Sequence, residues 1–479
     1  MAAKIEKNKV GELASKAFYT LLKTSLEDEA IYAGVSYFPD SEWNVYSGSL
    51  DSESTFWGGT DSDYGELDKT YYDQTMYSMH KVLPGGISRV VSRRDWTYGN
   101  TYKAYPASES YALVKEYISG YLSLNVYKCV FSPLTASTYP PTGTGSTPVQ
   151  LSDDYVWKYL YTITNSQSLR FLNDKWMPVP ERITAAEQAS ITTDSVNYNQ
   201  YISQIQAEQG AVFDVSLDSD ALWASISSDS DLRVAFNSDN VDLIGLDNRN
   251  NKPTRTLRMN LAWDDANQRF TKTLTQYGQG YRGPVTIRMD SDSLPINGLS
   301  GIIAPGEGHG GNVPSEMQTN NVMVSVRVAP DEVNKAAYNY SPYNMVSLHL
   351  NPIDASTNLV ASNEFYITCN SFETENTSSF SVGETIRPYY NDDGRRGYVI
   401  SNTDGKVYYI SPTQGKEYDS FYDSEAVSLE SGNKLNYIKK THNREIVFNS
   451  SDLLVADYKQ EEIVRNEGQI ETFNFILSF

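Results

Sequence analysis

Cysteine and histidine are scarce in this sequence, and no long apolar run occurs. Its 479 residues include two cysteines, Cys129 and Cys369, and four histidines. Two thiols so far apart do not make a disulfide framework, and both lie in apolar, strand-like runs, so we predict buried free thiols. No run approaches the roughly 18 apolar residues of a membrane-spanning helix, so we expect no membrane insertion.

The first residues lack the apolar core of a secretion signal, so we expect no such signal. Together with the free thiols, this predicts synthesis and folding in a reducing cytoplasm.

Positive charge is in the minority. The chain has 39 Lys and Arg against 60 Asp and Glu, which gives a net charge of −21. Such a chain repels phosphates, so we expect neither nucleic acid nor an anionic membrane surface as a partner. The dense basic groups are the pairs Arg93-Arg94, Arg395-Arg396 and Lys439-Lys440, which are too short to line a nucleic-acid groove.

Motifs for nucleotide binding or catalysis are almost absent. The run GEGHGG, residues 306–311, satisfies the dinucleotide pattern G-x-G-x-x-G. That pattern needs a strand before it and a helix after it, whereas here Pro305 precedes, Pro314 follows and no helical period appears. We therefore predict a structural loop rather than a nucleotide site. We expect no cofactor and no enzymatic activity.

Metal-ligating residues do not cluster. His80, His309, His349 and His442 are scattered, so we predict no metal site, with His309 bonded to backbone inside its glycine loop. An oxygen-rich segment could bind calcium, but the spacing of a calcium-binding loop is absent, and a solvated acidic face is the favoured interpretation. Its members are Asp214, Asp218, Asp220, Asp229, Asp231, Asp239 and Asp242.

Helical periodicity occurs in two places. A stripe at i, i+3, i+4 and i+7 predicts an amphipathic helix over about residues 9–25, and a weaker one predicts a helix over 194–209. The first stripe comprises Val10, Leu13, Ala14, Ala17, Phe18, Leu21 and Leu22; the second comprises Tyr198, Tyr201, Ile202 and Ile205.

Elsewhere the apolar period is two. Strands are predicted at 31–37 (one face buried), 155–161, 322–328 and 472–479, and a hairpin turn is predicted at 402–405. In the last strand Phe473, Phe475, Leu477 and Phe479 share one face, which we expect to be buried. We predict a mainly β fold of antiparallel β-sandwich layers, with an N-terminal helix and a few short helices in connections.

Aromatic residues are abundant, with 36 Tyr, 16 Phe and 7 Trp. Tyrosine has a large rigid body and a polar tip, so it suits half-buried strand faces and also protein contact surfaces. The composition is compatible with both.

Five segments, in order, resemble the baseplate wedge protein encoded by gene 8 of T-even-like contractile-tail phages. They are the helix-then-strand opening that closes on Ser41-Glu42-Trp43, the run KVLP (81–84) followed by RRDW (93–96), VYKC (126–129), DYVWKYL (154–160), and the closing strand 470–479. The order and approximate spacing match as well as the letters. The resemblance covers residues 10–165 and the last ten.

The resemblance implies a structural protein of the phage tail baseplate, found in the virion and assembled in the host cytoplasm. It implies a largely β fold, a homodimer and contacts with other wedge subunits, and it supplies no catalytic residue. We predict a family-like region at 1–180 and 460–479 and a separate β-rich region at 181–459. The alternative is a tail-associated protein that binds or degrades glycans, since 60 acidic residues do not single out or exclude a catalytic pair.

Six residues form the candidate structural or subunit-contact motif. The arginines offer fork-shaped donors to carboxylates, and the tryptophans offer core area. Pairing inside the sheet is the favoured interpretation, and a subunit contact is the alternative. The six are Arg93, Arg94, Asp95, Trp96, Trp157 and Phe479.

Overall fold

The computed structural model describes residues 7–28, 30–37, 73–118, 120–228, 241–247, 253–264, 266–267, 269–289, 295–328, 342–375, 380–388, 397–403, 405–411, 425–428, 435–464 and 469–479. Strands account for 46% of the residues and helices for 16%. The predicted fold class is confirmed, because the chain is mainly β, its sheets are antiparallel and a helix lies near its N-terminus. Cys129 and Cys369 are buried free thiols, as predicted.

The chain divides into two units. Unit 1 comprises residues 1–19, 88–323 and 476–479, and unit 2 comprises residues 20–87 and 324–475. This grouping differs from the predicted regions, because residues 181–323 belong with 88–180 and residues 20–87 belong with 324–475.

Two sheets lie within unit 1. One has four strands in the order β4-β5-β7-β6, and the other has six strands in the order β12-β11-β10-β13-β14-β9. The bounds are β4 Tyr111–Ile118, β5 Tyr121–Phe131, β6 Val149–Gln150, β7 Val156–Ile163, β9 Val212–Leu217, β10 Val241–Asp247, β11 Arg258–Asp264, β12 Arg269–Gln276, β13 Val285–Met289 and β14 Pro295–Ile303.

A further four-stranded sheet runs in the order β25-β15-β3-β8. Its strands are β3 Ile87–Ser92, β8 Trp176–Val179, β15 Asn321–Val328 and β25 Glu471–Ser478. Strands β15 and β25 confirm two of the strands predicted from the period of two.

Unit 2 contains a five-stranded sheet and a closed six-stranded barrel. The sheet runs β17 (Phe365–Ile367), β2 (Met76–Lys81), β1 (Ile31–Ser36), β16 (Tyr343–Leu350), β24 (Asp452–Ile463). The barrel runs β18 (Asn370–Thr374), β21 (Lys406–Ile410), β20 (Gly397–Ser401), β19 (Thr385–Pro388), β22 (Glu425–Ser428), β23 (Leu435–His442). Strands β20 and β21 pair as the predicted hairpin; its turn residue Asp404 lies outside the described residues.

Helices in the described residues include α1 Lys7–Asp28, α2 Asn165–Phe171, α3 Ala185–Gln188, α4 Tyr198–Ile205, α5 Ser219–Ser228 and α6 Val313–Glu316, with a 3-10 turn at Ala107–Glu109. Helices α2 and α3 each begin with a complete capping box, at Thr164 and Thr184. These boxes satisfy amide donors that the first helical turn leaves unpaired.

The core of unit 1 lies in two clusters, one between the sheet β4-β5-β7-β6 and β8, and the other around the six-stranded sheet. Leu113, Val126 and Leu160 of one sheet pack against Met177 and Val179 of β8, all of them buried. A larger cluster joins the six-stranded sheet to α5 and to the ends of β5 and β7. The aliphatic side chains that alternate along these strands fill both interfaces, which is the sandwich arrangement that the period of two indicates.

Three predicted faces are wrong. Strand β1 is buried on both faces rather than one, since all six of its residues are buried. In α1, Val10, Leu13 and Leu21 are 52–55% exposed, while Glu12 and Ser15 are buried. In α4 the buried residues are Gln200, Ser203 and Gln204. Leu22 of the α1 stripe is buried, but both helices are also held through polar side chains, so apolar periodicity located the helices and only part of their buried sides.

Candidate functional site

Arg93 and Asp95 of the candidate motif pair with each other. Arg93 Nε and Nη2 donate to the two carboxylate oxygens of Asp95 at 2.7 and 2.8 Å, and Nη1 donates to the Asn173 carbonyl at 2.9 Å. These bonds, with the charge of Lys115 3.5 Å away, hold the pKa of the Asp95 carboxyl below its usual value. The bidentate fork fixes the segment after β3, and the bond to the Asn173 carbonyl ties that segment to the loop after α2.

The backbone of Arg94 and Trp96 adds to the edge of the four-stranded sheet β4-β5-β7-β6, next to β4. The amide of Leu113 donates to the Arg94 carbonyl at 2.7 Å, and the amide of Trp96 donates to the Leu113 carbonyl at 2.8 Å. The segment thus lies alongside β4. The Arg94 guanidinium sits 5.0 Å above the ring of Tyr102, and Trp96 Nε1 donates to Ser137 Oγ at 3.2 Å.

Trp157 lies at the centre of a buried aromatic cluster. It is 1% exposed, with the Tyr102 ring edge-on at 5.1 Å and the Tyr155 ring stacked at 5.9 Å. Such ring pairs add to the stabilisation that apolar burial provides. We call this group the Trp157 cluster; it comprises Tyr102, Ala112, Val114, Tyr127, Cys129, Tyr155, Trp157 and Tyr159, with Trp96 packed against it.

Phe479 lies apart from the other five motif residues. Its ring is 5.2 Å from that of Phe18 in α1, and its amide donates to the Asn320 carbonyl at 3.0 Å. It is nevertheless 42% exposed, whereas Phe475 is 6% exposed and the other two residues on that face, Phe473 and Leu477, are partly buried. The prediction of four buried side chains is therefore wrong, because β25 is an edge strand and Phe479 follows its last residue.

The glycine-rich loop is shaped by close packing. Gly308 and Gly310 have φ of +83° and +84°, which side chains rarely adopt. A Cβ on Gly308 would lie 2.7 Å from the Glu208 carbonyl oxygen, and one on Gly310 would lie 2.8 Å from Ser203 Oγ. The loop joins β14 to α6, which has only four residues. Gly308 and Gly310 are explained by these contacts, without a nucleotide.

His309 in this loop bonds to a carboxylate rather than to backbone, which corrects the prediction. Its Nδ1 lies 2.5 Å from Glu316 Oε1, and the Gly310 amide donates to Oε2 at 2.7 Å. Burial alone would raise the pKa of Glu316, but His309, Lys128 and the Gly310 amide together bring it below its usual value. Glu316 is therefore a buried carboxylate whose charge is balanced inside the fold.

Two lysines are buried near that carboxylate. Lys128 Nζ lies 4.0 Å from Glu316 Oε1 and donates to Ser110 Oγ at 2.8 Å. Lys158 is 2% exposed and donates to the Ser146 carbonyl. Burial, opposed by the charges of Glu316 and Glu208, lowers the pKa of Lys158 to about 8.

Lys158 and His309 line a cleft of about 210 Å³ in unit 1, which we call the Lys158 cleft. The rings of Phe213 and Tyr277 stack at 4.5 Å along it, and the Arg255 guanidinium covers Tyr277 at 3.6 Å. Among the described residues, Glu208 Oε2 is buried there without a hydrogen-bond partner. The cleft thus brings together an ammonium, an imidazole and a carboxylate, but Lys158 is already bonded to the Ser146 carbonyl and His309 to Glu316.

The acidic segment is not uniformly solvated. Asp214 is 2% exposed and pairs with Lys272, which is 4% exposed, while the Ser132 amide donates to its carboxylate at 3.1 Å. The prediction of a solvated acidic face is wrong for Asp214, because this residue lies in β9 inside the core. Asp218, Asp220 and Asp242 are exposed; Asp229, Asp231 and Asp239 lie outside the described residues.

The other histidines have polar partners. His349 lies 2.8 Å from both Ser347 and Ser451, and His442 lies 2.8 Å from Glu373. Within the described part of the chain, no group of three or more His, Cys, Asp or Glu side chains could hold a metal ion.

Sequence reasoning missed several buried charged residues, among them Arg89, Lys128, Lys158, Asp214, Lys272 and Glu316. For Lys158 a signal existed, since it lies between Trp157 and Tyr159 in a strand whose flanking apolar residues leave no polar face. Its partners lie far away along the chain, so the letters alone could not show them.

No protein-family model matches this chain, and no curated protein sequence matches it. None of the helices in the described ranges combines the length and the apolar character that crossing a bilayer requires.

Proposed function

We propose that this protein is a structural subunit of a contractile phage tail, a baseplate wedge component that works by assembling with other wedge subunits. On this proposal it is a homodimer located in the virion, and its assembly takes place in the host cytoplasm. It performs no chemistry of its own.

One observation carries the proposal. Three of the five segments that resemble the wedge family meet in space, because Trp96, Tyr127, Cys129, Tyr155 and Trp157 all belong to or pack on the Trp157 cluster. Segments separated by at least 24 residues of chain are thus parts of one packed unit. The sequence resemblance therefore involves residues that pack against one another, and it supports the family assignment more strongly than three unconnected matches would.

The glycan alternative receives less support from the Lys158 cleft. Sugar rings bind well against an open aromatic face, but Tyr277 has Phe213 on one face and Arg255 on the other. The His309 and Glu316 side chains are already paired with each other. The described lining residues therefore offer no open aromatic face to a sugar.

Purified particles of the phage that carries this gene provide the test. With a small epitope tag on the chain, immunogold labelling should mark the baseplate end of the tail, and dissociated baseplates should contain the protein together with other wedge subunits. In isolation the chain should be a dimer by light scattering at micromolar concentration, with an interface of about 2,000 Å² or more. Absence from particles, or turnover of host surface polysaccharide by the purified chain, would contradict the proposal.

A further inference from the structure

The N-terminal part of α1 presents an apolar row to solvent. Val10 is 52% exposed and Leu13 is 55% exposed, and Ala17 is also exposed. Spacings of three and four residues place these side chains on one side of the helix. Scattered exposed apolar residues are ordinary on protein surfaces, but a row at helical spacing is typical of a surface that binds another helix.

The helix cannot turn this row inward, because its opposite side is fixed. Arg89, 1% exposed, donates to the Thr319 carbonyl at 2.8 Å and to Ser15 Oγ at 3.3 Å, and Ser15 Oγ itself donates to that carbonyl at 2.7 Å. A Cβ on Gly11 would lie 2.6 Å from the Phe479 carbonyl oxygen, so only glycine permits this approach. These contacts orient the helix and leave Val10, Leu13 and Ala17 outside.

The charge beside the row differs in sign from that of the whole chain. Residues 7–23 contain four lysines and one glutamate, whereas the net charge of the chain is −21. Glu12 is 5% exposed and pairs with Lys9, while Lys16 is exposed. Lys9 and Lys16 are seven residues apart, so they form one row adjacent to the apolar one.

We propose that the face of α1 formed by Lys9, Val10, Leu13, Lys16 and Ala17 docks an amphipathic helix of another protein, one whose apolar seam is flanked by acidic residues. Pairing with the same face of a second copy would bring lysines opposite lysines, which disfavours that occupant. The inference rests on the proposed assembly function and specifies the chemistry of one partner.

Binding of two designed peptides tests it. One labelled helical peptide has a leucine seam with glutamate flanks, and the other has the same seam with lysine flanks. Fluorescence anisotropy with the full chain should show binding of the glutamate peptide, weakened by added salt, and at least about tenfold weaker binding of the lysine peptide. Equal affinity for the two peptides, or no binding of the glutamate peptide, would overturn the inference.

Two substitutions locate the site. Leu13→Ser should weaken binding of the glutamate peptide at least about tenfold, because a seam contact is lost. Leu169→Ser, at a leucine of α2 that is 86% exposed, should leave it unchanged and serves as the matched control. Unaltered binding by Leu13→Ser would refute the assignment. Incorporation of the wild-type chain into particles is measured separately, so failed peptide binding with normal incorporation would refute this inference and leave the proposed function standing.

Discussion

Replacing Lys158 by methionine should change how stability depends on pH. The pKa of Lys158 is lowered from 10.5 to about 8 by burial. A lysine whose pKa falls on folding loses its proton at a lower pH in the folded chain than in the unfolded chain. Between the two pKa values the unfolded chain therefore binds more protons, and the free energy of unfolding rises with pH. Below pH 8 both states are protonated and the folded chain bears the full penalty, about 3 kcal/mol.

The Lys158→Met variant lacks this titration while keeping an unbranched apolar stem. The free energy of unfolding of the variant minus that of the wild type should therefore decrease by about 2 kcal/mol between pH 7 and pH 9.5. Urea denaturation at four pH values, followed by tryptophan fluorescence, measures the difference. The variant also loses the hydrogen bond to the Ser146 carbonyl, so the test uses the change of this stability difference with pH and not its absolute value.

Lys103→Met is the control, because that lysine side chain is 53% exposed. For this variant the difference from wild type should change by less than about 0.5 kcal/mol over the same range. If the difference for Lys158→Met were equally constant, the Lys158 ammonium would not be desolvated in the way that its burial indicates.

Three other changes have defined outcomes. Gly308→Ala should lower the free energy of unfolding in urea by about 1–3 kcal/mol because of its positive φ and close carbonyl contact, whereas Gly306→Ala, with no atom within 4 Å of its Cβ, should change it by less than about 0.5 kcal/mol. Asp214→Ala should destabilise by about 3–5 kcal/mol by leaving Lys272 buried and unpaired, and the double variant Asp214→Leu, Lys272→Met should recover most of that loss. Phe479→Ala, at a side chain 42% exposed, should lower the melting temperature much less than the removal of a fully buried phenylalanine, which costs about 3–5 kcal/mol.

Strands were the most predictable elements of this fold. Alternation alone located β7, β15 and β25, because successive side chains of a strand point to opposite faces whatever its partners are, so residues of one kind recur at a period of two. The hairpin of β20 and β21 followed from Asn402 and Gly405, whose backbone preferences suit a tight turn. These features depend on residues that are neighbours along the chain, so they can be predicted from a short stretch of sequence.

The buried sides of the helices could not be predicted in that way. The orientation of α1 depends on Arg89 and Thr319, and that of α4 depends on Gln204, which exchanges hydrogen bonds with the backbone of Ile183. Such bonds outweigh the burial of a few aliphatic side chains when the alternative leaves buried polar groups unpaired. The pairing of Asp214 with Lys272 joins residues 58 positions apart, and no local pattern records it.

The anchoring of α1 by Thr319 also sets an order of events during synthesis. Ser15 and Thr319 are 304 residues apart, so at ~5–20 residues per second the ribosome needs roughly 15–60 s after making the helix to make its anchor. Throughout that interval the apolar row of α1 is available to any protein nearby, including its eventual partner. A chain halted on the ribosome before residue 319 should leave the α1 segment far more sensitive to trypsin than a chain halted well beyond it. Equal sensitivity of the two halted chains would mean that the helix is fixed before its anchor exists.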